Sequence, residues 1–238
     1  MRLSIYLSIA LLFVLCSPGD LRSAAAVTDD PTTQVVVNKF LDASRTQQEA
    51  LRGMQMEVNI VGSLPRLAKQ GELQALRSIS KLGKITYRAL GFSGDNTVKN
   101  EVISRYVKVD TEPHDVAITP DNYKFKYKGA TYHEGKLVEI VQVTPKRKAV
   151  GLFHGELWLD SATGMPLRES GRFVKSPSVF LKKIEFVSSF EIKDGVAIPK
   201  HFESTVDTRL VGRAELKIDF SNFSRSESAD DDSANFPR

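Results

Sequence analysis

Residues 181–220 read LKKIEFVSSFEIKDGVAIPKHFESTVDTRLVGRAELKIDF, and the alternation in this stretch decides the fold. Ile184, Phe186, Phe190 and Ile192 fall on one side of a first strand, Ile198, Phe202 and Val206 on one side of a second, and Ala214, Leu216, Ile218 and Phe220 on one side of a third. Opposite them stand Lys183, Glu185 and Glu191, then His201, Glu203, Thr205 and Asp207, then Arg213, Glu215, Lys217 and Asp219. Successive strand side chains point to opposite faces, so this pattern describes a sheet with one greasy and one wet face. Asp194-Gly195 between the first two strands is the strongest short hairpin signal. Turns this short allow only antiparallel neighbours, because parallel pairing needs crossovers of about a dozen residues.

The same grammar extends upstream. Strands are predicted over Leu137 to Thr144, Val150 to Asp160, Met165 to Val174, Leu181 to Lys193, Val196 to Asp207 and Leu210 to Phe223, with turns at Ser161-Ala162-Thr163-Gly164 and Ser176-Pro177-Ser178. Tyr123, Phe125 and Tyr127 alternate with Lys124, Lys126 and Lys128, and Gly129 is expected to turn that strand into the next. Met54, Met56, Val58 and Ile60 alternate with Gln55, Glu57 and Asn59, which gives a first strand, and Lys84 to Phe92 alternates again. Before them, Val36, Val37, Phe40 and Leu41 sit at helical spacing and predict one amphipathic helix over Thr33 to Leu51, ended by Gly53. Gly62 to Gly83 reads as a short helix or as a loop with a broken strand. Val98, Val102 and Tyr106 recur every four residues, which suggests a helix over Thr97 to Val107 with a strand as the rival reading.

The ends set the compartment. Arg2, the apolar run Ile5 to Cys16 and the small residues Ala24-Ala25-Ala26 form the pattern of a cleaved export signal over residues 1–26. The run is too short to span a bilayer. Leu15 precedes Cys16 where a lipid-attachment site carries Gly, Ala or Ser, so lipid anchoring at Cys16 is not expected. The mature chain then has no cysteine and no thiol chemistry. A single domain is expected over residues 27–223, followed by a Ser- and Asp-rich, poorly ordered tail over 224–238 whose Phe236-Pro237 could dock at the sheet edge.

Composition excludes several classes. Of 238 residues, 41% are apolar, enough for a core, and the net charge of +4 is spread through the strands rather than gathered in a block, which argues against a nucleic-acid partner. His114, His133, His154 and His201 lack metal-ligand spacing; there is no G-x-S-x-G elbow, and no Gly-rich loop opens a helix. No metal, cofactor or catalytic group is therefore expected, and the protein is not read as an enzyme. Asp160 is expected to shape the turn after Trp158, and Trp158 to pack on the sheet.

Several hairpin motifs carry a resemblance. Val143-Thr144-Pro145-Lys146, Glu156-Leu157-Trp158-Leu159-Asp160 with Gly164-Met165-Pro166-Leu167-Arg168, Lys193-Asp194-Gly195-Val196-Ala197-Ile198-Pro199, and Phe220-Ser221-Asn222-Phe223 together resemble the LolA/LolB-like superfamily of periplasmic lipoprotein carriers, in particular the outer-membrane lipoprotein-sorting proteins. The resemblance implies a mainly β (α+β) fold: a curved antiparallel open half-barrel with helices covering the concave face. It implies a monomeric periplasmic protein of a bacterial envelope that takes a lipid or acylated protein as partner, working with envelope membrane proteins. The helix from Thr33 and the segments Gly62 to Gly83 and Thr97 to Val107 would be the lid, tied by a basic residue for which Arg66, Arg77 and Arg88 all qualify. The cavity would be lined by Met54, Met56, Val58, Ile60, Phe125, Tyr127, Ile184, Phe186, Phe190, Phe202, Leu216 and Ile218. Periodicity alone favours a filled core for these residues, since apolar strand faces usually pack under helices, and only the resemblance points to a cavity; the rival function is a non-enzymatic protein-interaction or sensor module on the same scaffold.

Overall fold

The computed structural model describes residues 30–112, 116–176, 181–209 and 212–225. The export signal, His114, Pro177-Ser178 of the expected turn, Leu210 and the tail beyond Arg225 lie outside the described residues.

Helix α1 spans Pro31–Leu51. It starts earlier than hydrophobic spacing predicts because Asp30 caps it, accepting from the backbone N–H groups of Thr32 at 3.1 Å and Thr33 at 3.3 Å, while Pro31 occupies the first turn, where its missing N–H is not needed. Strands β1 (Met54–Leu64), β2 (Lys69–Ile79) and β3 (Ile85–Gly94) follow, and a 3₁₀ turn over Pro65–Leu67 separates the first two. The ambiguous stretch from Gly62 is thus the end of one strand and the whole of the next; it belongs to the sheet and forms no part of a lid. The next segment is helical, as the four-residue spacing suggests: α2 (Asn96–Val98), a π-helical turn (Lys99–Ile103) and α3 (Ser104–Thr111) run on from one another.

The remaining strands are β4 (Tyr123–His133), β5 (Lys136–Pro145), β6 (Phe153–Asp160), β7 (Pro166–Phe173), β8 (Leu181–Lys193), β9 (Val196–Thr208) and β10 (Arg213–Arg225). All ten strands form one antiparallel sheet in the order β3-β2-β1-β10-β9-β8-β7-β6-β5-β4, with β3 and β4 left as unpaired edges, so it is an open half-barrel. Gly129 does not turn the chain. It sits at a bulge within β4, with φ +125°, and the reversal falls at Glu134-Gly135, where both residues have positive φ. Asp194 and Gly195, at φ +52° and +76°, make the expected hairpin turn between β8 and β9. Asp160 shapes its turn as anticipated, accepting from the Thr163 backbone N–H and hydroxyl, each at 2.8 Å.

Register places the greasy face inward. A single ladder row crosses the whole sheet: Phe92, Leu73, Ile60, Ile218, Phe202, Ser188, Glu169, Leu157, Val141 and Tyr127 lie side by side from β3 to β4. One expectation fails here. The ladder slips between Ser189 and Phe190, so Phe190 meets Pro199 and Ile192 meets Ala197; Ala197 takes the inner face, and Ile198 pairs with Glu191 on the other. The wet face carries small ionic clusters, such as His201 bridging Asp219 at 2.6 Å and Glu203 at 3.1 Å.

Two cores fill the inner face. One gathers Val37 and Phe40 of α1 with Tyr123, Phe125, Val141, Leu157 and Phe186. The other gathers Val98 and Ile103 with Met56, Ile60, Leu216 and Ile218. Where β6 and β7 cross, Gly155 faces Gly171, and a Cβ on Gly155 would run into the backbone of Ser170 and Gly171. Gly155→Ala is expected to destabilise the protein by about 1–3 kcal/mol, seen as a lower midpoint of urea unfolding with an unchanged slope.

Candidate ligand-binding trough

Helix α1 lies along one rim of the half-barrel. The Tyr127 backbone N–H donates to the Thr33 hydroxyl at 3.1 Å, Lys39 Nζ donates to the Ser161 carbonyl in the β6–β7 turn at 2.8 Å, and Ala43 meets Met165 and Ala197 at the near ends of β7 and β9. The segment from α2 to α3 instead covers β1, β2, β3 and β10, seating Val98 over the bare backbone of Gly62 and Gly71. Between these two covers lies the inner face of β7, β8 and β9. Here Ile184, Ser188, Phe202, Val206 and Glu169 keep part of their surface accessible, whereas Ile60 and Ile218 on one side and Leu157 and Val141 on the other are sealed. This partly accessible stretch, called the trough below, has a floor of aromatic rings: Phe186 meets Phe153 edge-on at 4.9 Å and stacks on Phe173 at 4.9 Å, Phe202 stacks on Phe186 at 6.1 Å, and Tyr106 of α3 closes on Phe202 at 5.8 Å.

The anticipated lining residues divide accordingly. Met56, Val58, Ile60, Leu216 and Ile218 are buried beneath α2 to α3, and Phe125 and Phe186 are buried in the other core. Ile184 and Phe202 border the trough, while Phe190 packs beside Ala43 and Met165 at the rim under α1. Met54 stands half-buried at the start of β1, away from the trough. Tyr127 ends its row at a separate cleft of about 200 Å³ between α1 and the β6–β7 turn, lined by Val35, Lys39, Glu139 and Asp160. Its hydroxyl donates to Glu139 at 2.6 Å, and that bond pushes the phenol up to about 12. The cleft is smaller than the roughly 300–1,000 Å³ usual for small-molecule sites.

Sequence reasoning missed Glu169. It sits mid-trough, between Leu157 and Ser188 on the neighbouring strands, and among the described residues no donor or cation reaches its carboxyl. Burial alone pushes this carboxyl up to about 7. The signal was present: Leu167, Glu169, Gly171 and Phe173 alternate with Arg168, Ser170 and Arg172, which puts Glu169 on the apolar side. On the opposite face, Arg168 lies over the Trp158 ring at 5.1 Å, with His133 edge-on to the same ring at 5.4 Å.

Arg77 is the basic residue that ties a helix to the sheet. From β2 its Nε donates to Asp110 Oδ2 on α3 at 3.0 Å and contacts the Tyr87 hydroxyl at 3.1 Å, and that hydroxyl donates to the same carboxylate oxygen at 2.7 Å. Burial disfavours the guanidinium charge, but Asp110 outweighs it and the Arg77 pKa is raised. Burial also raises Tyr87 and Tyr106, keeping both phenols neutral. Among the described residues Arg66 and Arg88 make no such bond: Arg66 packs its side chain toward Gly212, and Arg88 is exposed on the edge strand.

No protein-family model matches the chain, and no curated protein matches it. Solved structures similar in fold include a DUF1329 family protein from Desulfovibrio piger (17% identity, 81% of this chain and 94% of that one, TM-score 0.47). They also include a LolA superfamily protein from Nitrosomonas europaea (12%, 81% and 92%, TM-score 0.41) and a putative outer membrane lipoprotein-sorting protein domain from Vibrio parahaemolyticus (11%, 81% and 94%, TM-score 0.40). The last two come from the group that the hairpin motifs resemble. Identities this low carry no function from those proteins to this one.

Two outcomes follow from the half-buried acids. Asp110→Asn, which keeps the shape but removes the charge opposite Arg77, is expected to lower stability by on the order of 1–3 kcal/mol and to speed amide exchange in α3 more than in β1, measured by hydrogen–deuterium exchange. For Glu169, the unfolded carboxyl titrates near its ordinary 4.5 and the folded one near about 7, so the native state holds the proton more tightly. Its relative stability is therefore greatest below the unfolded value and is lost as pH rises through about 7. Glu169→Gln is expected to stabilise the protein by on the order of 1–3 kcal/mol near pH 8.5 and to change little near pH 4, read from urea unfolding at the two pH values.

Proposed function

We propose that the protein is an exported, non-catalytic carrier that holds an acyl-chain lipid, or the acyl chains of a lipidated protein, in the trough between α1 and α3. The observation that carries this reading is the uneven sealing of the inner face. Ile60 and Ile218 on one side and Leu157 and Val141 on the other are sealed, while Phe202, Ile184 and Val206 between them keep part of their surface accessible. Apolar side chains are left in that state at a cost, and a hydrocarbon guest removes it.

The energetics support an enclosed site. A buried methylene is worth about 0.8 kcal/mol, so a chain of roughly fourteen carbons gains on the order of 10 kcal/mol on leaving water. Only a concave surface with walls on several sides recovers most of that. The floor provides aromatic rings, and the walls are α1 and α3, the latter held by the Arg77–Asp110 bond. The export signal read over residues 1–26 and the motif resemblance to envelope carriers agree with placement in the periplasm.

Native mass spectrometry of the purified protein, followed by solvent extraction, is expected to show an apolar adduct at one per chain, and a fluorescent fatty acid is expected to exchange with it. A protein that emerges empty and leaves the fluorescent fatty acid in solution would sink the carrier reading and favour a partner-binding role for the same scaffold.

A further inference from the structure

The trough is not uniformly greasy. In the ten-strand row from Phe92 to Tyr127 the interior positions are apolar except for Ser188 and Glu169, which are adjacent cross-strand neighbours on β8 and β7. No hydrogen bond or ion pair joins either side chain to another described residue. Both side chains are only half-buried, and neither is among the side-chain groups sealed from solvent without a partner, so water completes their bonding from the open side. Two polar groups side by side in an accessible, otherwise apolar stretch of the inner face mark a place where a ligand's polar group can take the place of that water.

We propose that Glu169 and Ser188 form the polar anchor of the trough and that they hold the carbonyl of an ester or amide on an otherwise apolar ligand, whose hydrocarbon lies along Phe202, Ile184 and Val206. This rests on the carrier reading and narrows it to acyl esters and amides. Both groups act as donors: the neutral carboxyl gives one O–H and Ser188 gives another, and a carbonyl oxygen has two lone pairs to receive them.

An ammonium headgroup fits the anchor less well. It brings three protons to a site with one carboxyl and one hydroxyl, and a charge pair formed among aromatic rings loses hydration on both sides. The surroundings also favour the uncharged acid. Tyr123 of β4 senses the carboxylate as a repulsive charge, Tyr106 lies beyond Phe202, and burial holds both phenols neutral. The inward residues of α1 are Thr33, Val37, Phe40 and Ala43, none charged, and Asp110 of α3 is engaged by Arg77. With no cation opposite, Glu169 keeps its proton up to about pH 7, and ionisation above that removes the donor.

The test is calorimetric titration of the purified protein with monolauroylglycerol, which is uncharged and carries one ester, and with dodecylamine, which has the same chain length and an ammonium group. The ester is expected to bind the wild type roughly thirtyfold more tightly near pH 6 than near pH 8.5, following the protonated fraction of a carboxyl at about 7. Glu169→Gln, whose amide still donates, is expected to bind it equally at both pH values, and Glu169→Leu about fivefold or more weakly than wild type near pH 6. Dodecylamine binding that exceeds ester binding and tightens with rising pH overturns the proposal in favour of an ammonium site. Ester binding indifferent to pH and to both substitutions overturns the anchor and leaves the carrier reading standing. Binding of neither amphiphile at either pH removes the carrier reading and the anchor together.

Discussion

The pairing of β1 with β10 is the contact on which the sheet depends. Every other strand pair joins neighbours in the chain, mostly through short turns; this one joins Met54–Leu64 to Arg213–Arg225 and makes one sheet out of β1–β3 and β4–β10. The joint is secured by side chains as well as by backbone. Val58 meets Phe220, Ile60 meets Ile218, and these residues form the centre of the core beneath α2 and α3. Because the contact spans most of the chain, its loop-closure entropy must be met before its burial is gained, so it is expected to form late in folding. Once made, it also sets where the helical segment must run: the chain leaves at the β3 edge and re-enters at the β4 edge, carrying α2 and α3 across the inner face on the way.

Much of this was legible in the sequence, and the failures have physical causes. Strands β5 to β10 announce themselves because each alternates and three of the reversals, the hairpin at Asp194-Gly195 among them, carry turn chemistry. Gly129 misled, since a glycine with positive φ serves a bulge as well as a turn, and only pairing distinguishes them. Ile198 misled for the same reason: a slip of one residue near Lys200 exchanges the faces, so Ala197 meets Ile192. Gly62 to Gly83 stayed ambiguous because β2 mixes Leu73 and Leu76 on opposite faces, with Pro65 interrupting the start. The tie between Arg77 and Asp110 spans 33 positions, and no local pattern could choose Arg77 over Arg66 or Arg88.

The candidate site was legible only in outline. Alternation identified the greasy face but not which part of it stays accessible, for that depends on where the helices come to rest. Met56, Ile60 and Ile218 have the same signature in sequence as Phe202, yet the former lie sealed beneath Val98 and Ile103 while Phe202 sits between two cores and is finished by neither. Its rings bridge the two: Phe186 on one side, Tyr106 on the other. An aromatic seam of this kind keeps two packed units in contact.

The two half-buried acids make the clearest physical contrast. Asp110 and Glu169 both lie against the inner face, and both would be expensive as unpaired anions. Asp110 is matched by a guanidinium and a phenol, so its place is explained by the fold it holds together. Glu169 is matched by nothing within the described residues, and a Leu there, alongside Leu157, would continue the apolar row without loss. A group that weakens the folded state where a plain hydrocarbon would strengthen it is not accounted for by stability. Such groups persist where they act on something outside the chain, and the accessible trough in which Glu169 sits is the place from which it could do so.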